Sequence, residues 1–186
     1  MCGIVGAIAQ RNVSQILLEG LSRLEYRGYD SAGICCINNQ ELRCIKTTGK
    51  VKNLKEAVKE QGCPGFIGIA HTRWATHGVP SETNAHPHIC GNLALVHNGI
   101  IENFAELKSQ LIEKGYEFKS QTDTEVLVCL IHYHLQTSAN LLEAFKIALN
   151  EVKGSFGLAL IDKNDPNTLY AARSRSEERR VGKECH

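Results

Sequence analysis

The sequence predicts an α+β domain in which antiparallel sheets are flanked by helices. Strand-like runs come as neighbours, SAGICCI with ELRCIKTT and SFGLALID with TLYAAR, and so do the helix-like runs TDTEVLVCLIHYHLQ and LLEAFKIALNEVKG. The paired strands are joined by the short segments NNQ and NDPN, which suit hairpins. A doubly wound parallel sheet would instead alternate strand and helix along the chain.

Taken in order, CGIVGAIA reads as a short, continuously apolar buried strand. In RNVSQILLEGLSRLEYRG, Val13, Ile16, Leu17, Leu21 and Leu24 fall on one helical stripe, with Asn12 as cap and Gly28 as stop. The first hairpin follows, then a helix from about Val51 to Gln61 carrying Val51, Leu54 and Val58. The GCPG break leads into the strand FIGIA, and from His71 the chain reads as a long polar loop, HTRWATHGVPSETNAHPH. LALVHNG is expected as a strand ending in a tight turn. IENFAELKSQLIEKG spaces Phe104, Leu107 and Leu111 as an amphipathic helix and stops at Gly115. The two neighbouring helices come next, and the final hairpin turns about NDPN. From Arg175 the segment RSEERRVGKECH is highly charged and has no core stripe. The expected division is a domain over 1–173, incomplete on its C-terminal side, and a tail over 174–186 foreign to it.

At 186 residues and 42% hydrophobic composition the chain suits one domain with a sizeable core. Its 21 basic residues balance 20 acidic ones for a net charge of +1, so no strong field draws it to nucleic acid or acidic lipid. A small-molecule partner is expected, with no nucleic acid and no membrane. The opening MCGIVGAIAQ does not read as a secretory signal, because Arg11 follows the apolar run rather than preceding it. Eight cysteines without a regular framework point to reduced thiols and a cytoplasmic location.

No G-x-S-x-G elbow, phosphate-binding loop or G-x-G-x-x-G is present, so serine hydrolase and nucleotide-binding readings lack their signals. His71, His77, His86, His88 and His97 invite comparison with a zinc site. The chain has neither C-x-x-C nor H-x-x-x-H, however, and neither a metal nor a cofactor is expected. Cys2 is more informative. If Met1 is removed, this residue carries a thiol and a free α-amine together, with reference pKa values of ~8.5 and ~7.7–8.0. The amine can then act as the base for its own nucleophile.

A nucleophile that attacks a carbonyl requires oxyanion donors, and the side-chain amide of Asn98 with the backbone N–H of Gly99 suits that task. Arg73 can grip a carboxylate with its fork and Asp123 can pair with an ammonium, together describing an amino-acid zwitterion such as glutamine. Each has a plainer reading alone. Arg73 fits a surface ion pair, Asn98-Gly99 a simple turn, Asp123 a helix cap and Trp74 a core residue.

MCGIVGAI, LEYRGYDSAG, HTRWATHG, NAHPH, HNGIIEN and TDTEV, in this order, resemble the glutaminase domain of the glutamine:fructose-6-phosphate amidotransferases, the glucosamine-6-phosphate synthases. The likeness runs from Met1 to about Arg173. It implies the N-terminal-nucleophile fold, an αββα sandwich, and hydrolysis of L-glutamine to glutamate and ammonia through a thioester on Cys2. By motif position Asn98 and Gly99 form the oxyanion hole, and Arg73 and Asp123 hold the substrate's α-carboxylate and α-ammonium, helped by Thr76 and His77. Arg27 and Gly28 line the pocket, Trp74 lies on a loop that closes over glutamine, and His86 matches a pocket histidine of open role. In the family an AAR-x-GSPL-like stretch continues toward the sugar-phosphate half, and here Arg175 breaks it. Fructose 6-phosphate and the homo-oligomer of the whole enzyme therefore belong to a part this chain lacks. Another class II amidotransferase, an amide hydrolase with a different acyl substrate, and an inactive fragment or thiol-rich binding module remain as alternatives.

Overall fold

Eight strands and five α-helices form two four-stranded antiparallel sheets, each backed by helices, in a computed structural model that describes residues 2–74 and 79–174, the Arg27 side chain excepted. The strands of the first half are β1 (Gly3–Ile8), β2 (Ser31–Asn38), β3 (Glu41–Thr48) and β4 (Ile67–Arg73), joined in the order β1-β4-β2-β3. Those of the second half are β5 (His88–Cys90), β6 (Leu93–Ile101), β7 (Gly154–Asp162) and β8 (Asp165–Ser174), in sequential order. Helices α1 (Ser14–Leu24) and α2 (Val51–Gln61) belong to the first half, and α3 (Phe104–Glu113), α4 (Asp123–Leu135) and α5 (Leu141–Glu151) to the second.

The layering follows from strand alternation. On β2, Ala32, Ile34 and Cys36 pack with Leu17 and Leu21 of α1 and Leu54 of α2. The intervening Cys35 and Ile37 pack with Ile67 and Ile69 of β4 and with Ala94, Val96, Ala159 and Ile161 of the other sheet. A third cluster joins Leu95, Leu158 and Leu160 to Leu107, Leu111, Leu127, Ile131 and Phe145 of α3, α4 and α5. A strand buried on both faces reads as an unbroken apolar run, which is why β2 lacks the polar alternation of a one-sided sheet. Three cores in helix, sheet, sheet and helix layers make the αββα sandwich.

Local chemistry places most boundaries where periodicity puts them. Asn12 Oδ1 accepts from the Ser14 amide at 3.1 Å just ahead of α1, whose N-cap position is Val13 rather than Asn12, and α2 spans Val51–Gln61 as expected. In the β2–β3 hairpin Asn39 and Gln40 take φ of 49° and 60°, the left-handed turn that matches strand twist. Four expectations are corrected. The polar loop begins after Arg73 rather than at His71, because Thr72 pairs with Gly3 on one side and Ala32 on the other. His88–Cys90 forms a short strand against β6, absent from the sequence reading. Asn98-Gly99 is not a turn, since β6 continues to Ile101 in register with β7. The final hairpin turns at Lys163 and Asn164, and Asp165 already pairs with Asp162. Among the described residues no helix is long and apolar enough to cross a membrane.

Candidate active site

Antiparallel pairing of β1 with β4 brings the start of the chain beside the end of β4. Gly3 lies opposite Thr72 and its N–H donates to Thr72 Oγ1 at 3.1 Å. Cys2 therefore falls next to Trp74, whose backbone N–H donates to Cys2 Sγ at 3.1 Å. The Cys2 thiol in turn lies 3.6 Å from the Trp74 carbonyl. Burial pushes the Cys2 thiol above its ordinary pKa, opposed by the Trp74 backbone hydrogen bond and by the nearby Arg73 charge. The thiol is accordingly protonated at neutral pH, and an ionised nucleophile requires a base.

The second sheet supplies the facing group. Asn98 on β6 donates from Nδ2 to the Cys2 carbonyl at 3.2 Å, across 96 positions of sequence. Its Oδ1 lies 2.6 Å from His71 Nε2 on β4, in the buried space between the sheets. An amide oxygen only accepts, so His71 carries its proton on Nε2, and this bond turns the amide's N–H₂ side toward Cys2. Burial drives the His71 pKa down to about 3, partly offset by the Asn98 bond. It is a neutral, positioning imidazole.

Gly99 follows Asn98 with φ of +133°, and a Cβ there would fall inside contact distance of the Ser155 carbonyl oxygen on β7. Only glycine fits where the two backbones meet so closely. Three residues past Asn98, the Ile101 N–H donates to Asp123 Oδ2 at 2.9 Å. The carboxylate thus sits at the first turn of α4, but Asp123 is not the helix cap. Thr122 is, its Oγ1 accepting from the Glu125 N–H at 3.3 Å.

Behind Asn98 lies a histidine layer. The His71 and His86 rings stand 4.3 Å apart, and those of His86 and His88 4.8 Å. Thr124 Oγ1 bridges His86 Nε2 at 2.7 Å and His97 Nδ1 at 3.0 Å, while Thr122 Oγ1 meets His88 Nε2 at 3.0 Å. Burial holds His86 and His88 well below the usual histidine range. Among the described residues no group of three or more His, Cys, Asp or Glu side chains is arranged to hold a metal ion. His86 is a buried neighbour of His71 in this layer.

Arg73 ends β4 nearly buried, its Nη1 3.9 Å from Asp30 Oδ1, and the Asp30 N–H donates to the Arg73 carbonyl at 2.8 Å. Trp74 is about half-exposed, at 53%, and its ring covers Gly28, whose φ is +72°. The structure thus brings Cys2, Trp74, Gly28, His71 and Asn98 together, with Gly99 and Asp123 further along the β6–α4 side. Thr76 and His77, the Arg27 side chain and the tail from Arg175 lie outside the described residues. Sequence reasoning missed His71 as the group that orients Asn98, together with Thr124 and Asp30. The available signal was alternation: in H-T-R, His71 and Arg73 share one face if the run is strand, but polarity argued for loop.

A cysteine thiol beside an amide donor, where the two sheets of an αββα sandwich meet, is an arrangement on which acyl-transfer chemistry can be built. The glutamine amidotransferase domain model matches residues 71–179, more than half of the chain, and the chain belongs to that family. Over 177 residues it is 58% identical to a glutamine–fructose-6-phosphate aminotransferase (isomerizing) of Haemophilus influenzae, covering 95% of this chain and 29% of that protein. The corresponding protein of Legionella pneumophila strain Paris is 57% identical over 178 residues, covering 95% and 30%. The chain therefore spans about three tenths of the length of these relatives. Among solved structures, the glutamine phosphoribosylpyrophosphate amidotransferase of B. subtilis, complexed with ADP and GMP, superposes with a TM-score of 0.74. It is 29% identical, and the match covers 88% of this chain and 35% of that one.

Proposed function

We propose that the chain is the glutamine-hydrolysing part of a glutamine–fructose-6-phosphate aminotransferase, with Cys2 as nucleophile. The observation that carries this reading is the meeting of Cys2 with the Asn98 amide, 3.2 Å from its carbonyl oxygen, at the junction of the two sheets. Removal of Met1 frees the Cys2 amine, which takes the proton from a thiol that burial keeps protonated. The sulfur attacks the side-chain carbonyl carbon of glutamine, and the oxygen becomes an oxyanion held by Asn98 Nδ2 and the Gly99 N–H. Collapse breaks the C–N bond, the ammonium of Cys2 returns its proton to the leaving nitrogen, and ammonia departs. Water then hydrolyses the thioester to glutamate.

In this reading Arg73 takes the substrate's α-carboxylate and Asp123 its α-ammonium, with Thr76 and His77 assisting and Arg27 and Gly28 lining the pocket. Trp74, half-exposed over Gly28, closes on the bound substrate. The glutaminase domain is read as about 1–173, closing with β8, and the charged residues that follow β8 as a tail. The ammonia aminates fructose 6-phosphate in a further part of the enzyme, which would also make the homo-oligomer. Seven free cysteines among the described residues support a cytoplasmic setting.

The test is intact mass and peptide mapping after exposure to an electrophilic glutamine analogue, alongside glutamate release. The expected product lacks methionine and bears one adduct, on Cys2. Retained methionine with no glutamate release, or adducts spread over other cysteines, would overturn the reading. The sugar step is tested in the longer protein, which should form glucosamine 6-phosphate and glutamate in equal amounts.

A further inference from the structure

Asp123 is held at both of its carboxylate oxygens. Oδ2 accepts from the Ile101 N–H at 2.9 Å, and Oδ1 accepts from the Thr124 hydroxyl at 3.5 Å. Thr124 is fully buried, and its Oγ1 meets two further partners, His86 Nε2 at 2.7 Å and His97 Nδ1 at 3.0 Å. A hydroxyl has one proton and two lone pairs, so three contacts leave a single way of sharing them. A carboxylate only accepts, and the threonine proton therefore goes to Asp123. The two lone pairs are left for imidazole N–H groups, which places a proton on Nε2 of His86 and on Nδ1 of His97. Burial keeps His86 neutral, so that one proton is all it carries.

We propose that Thr124 is a positioning residue for substrate recognition, its hydroxyl tying the Asp123 carboxylate to the His86–His97 pair and so fixing the acceptor for the α-ammonium of an amino-acid ligand. The inference rests on the proposed reading of Asp123 as the partner of that ammonium. The groups that meet at the hydroxyl come from distant parts of the chain. His86 lies between β4 and β5 with its ring centroid 4.3 Å from that of His71, His97 is on β6 directly before Asn98, and Thr124 stands in the first turn of α4. His97 Nδ1 is 3.8 Å from Asp123 Oδ1, too far for a hydrogen bond, and reaches the carboxylate through the threonine. With one oxygen tied to β6 at Ile101 and the other to the histidine layer, the carboxylate is held against rotation. Without the hydroxyl it keeps, among its described partners, the Ile101 bond alone, and both imidazole N–H groups lose their acceptor. The ligand feature that senses the change is the α-ammonium.

The test compares L-glutamate with glutarate, the same molecule without its α-ammonium. Dissociation constants are measured by calorimetry on the whole chain, and the preference for glutamate over glutarate is taken within each variant, so that a general loss of affinity cancels. The unsubstituted chain is expected to prefer glutamate, and Asp123→Asn to abolish the preference. Thr124→Ala and the shape-matched Thr124→Val should lower the preference about 3- to 12-fold, the worth of one hydrogen bond, through weaker binding of glutamate with glutarate unchanged. Two hydroxyl-free variants of different volume are made so that one folded variant is enough. Thr124→Ser keeps the hydroxyl and should keep the preference. A preference that Asp123→Asn abolishes but both hydroxyl-free variants retain would overturn the proposal, as would equal weakening of both ligands in those variants or loss of the preference in Thr124→Ser. No preference in the unsubstituted chain would instead overturn the ammonium role of Asp123 on which the proposal rests.

Discussion

His71 provides the sharpest test of how this site is built, because its effect must pass through Asn98. It is fully buried, and its Nε2 lies 2.6 Å from Asn98 Oδ1. His71→Ala deletes this bond and leaves a buried amide oxygen without its donor, a loss of about 1–3 kcal/mol. Since the same bond aims the amide's N–H₂ at Cys2, the loss appears in the barrier as a fall in kcat/KM of roughly 5- to 150-fold. Asn98→Ala removes an oxyanion donor outright, expected to cost about 10²–10³ in kcat. The double variant should then be no slower than Asn98→Ala alone, leaving a coupling of about 1–3 kcal/mol between the two positions. Glutamate release is measured below the Tm of each variant, so that the cavity left by the imidazole does not enter the rate. If the losses multiply in the double variant, His71 does not act by orienting Asn98 and the argument from the 2.6 Å bond fails.

Three further outcomes follow from the same geometry. Cys2→Ala should abolish glutamate release while leaving Tm close to the parent value, because the described partners of its thiol are the Trp74 backbone atoms. A matching collapse of Tm would give Cys2 a structural role instead. Gly99→Ala should lower Tm by several degrees and slow glutamate release, since φ of +133° and the Ser155 carbonyl both oppose a Cβ, at about 1–3 kcal/mol. An unchanged melt would contradict the observed backbone approach. Finally, His71, His86 and His88 are held below the usual histidine range by burial, so the unfolded chain binds more protons than the folded one as pH falls below about 6.5. Stability from these groups is complete above that pH and is lost as pH drops toward their folded values, about 3 for His71. Urea midpoints should fall between about pH 7 and pH 5, with up to about 1.4 kcal/mol per pH unit from each histidine. A flat profile would mean that these imidazoles are not buried as neutral groups.

Local patterning by itself determined a good deal of this protein. The 3.6-residue stripe of Val51, Leu54 and Val58 placed α2 at its observed bounds, and the short NNQ segment placed the first hairpin. Cys2, Asn98-Gly99, Arg73 and Asp123 were legible as candidates because each carries a chemistry that its residue type dictates. Tertiary structure decided which of them meet. Cys2 and Asn98 lie 96 positions apart and come together only because β1 pairs with β4 while β6 crosses on the facing sheet. Polarity made His71–Arg73 read as loop, yet pairing on both sides of β4 satisfies the backbone there and turns His71 inward. Asn98-Gly99 read as a turn, yet β7 carries the strand onward through the glycine. In each case periodicity reports the burial of a face along the chain, whereas strand pairing and the contacts between sheets are set by partners far away in sequence, which no local window contains.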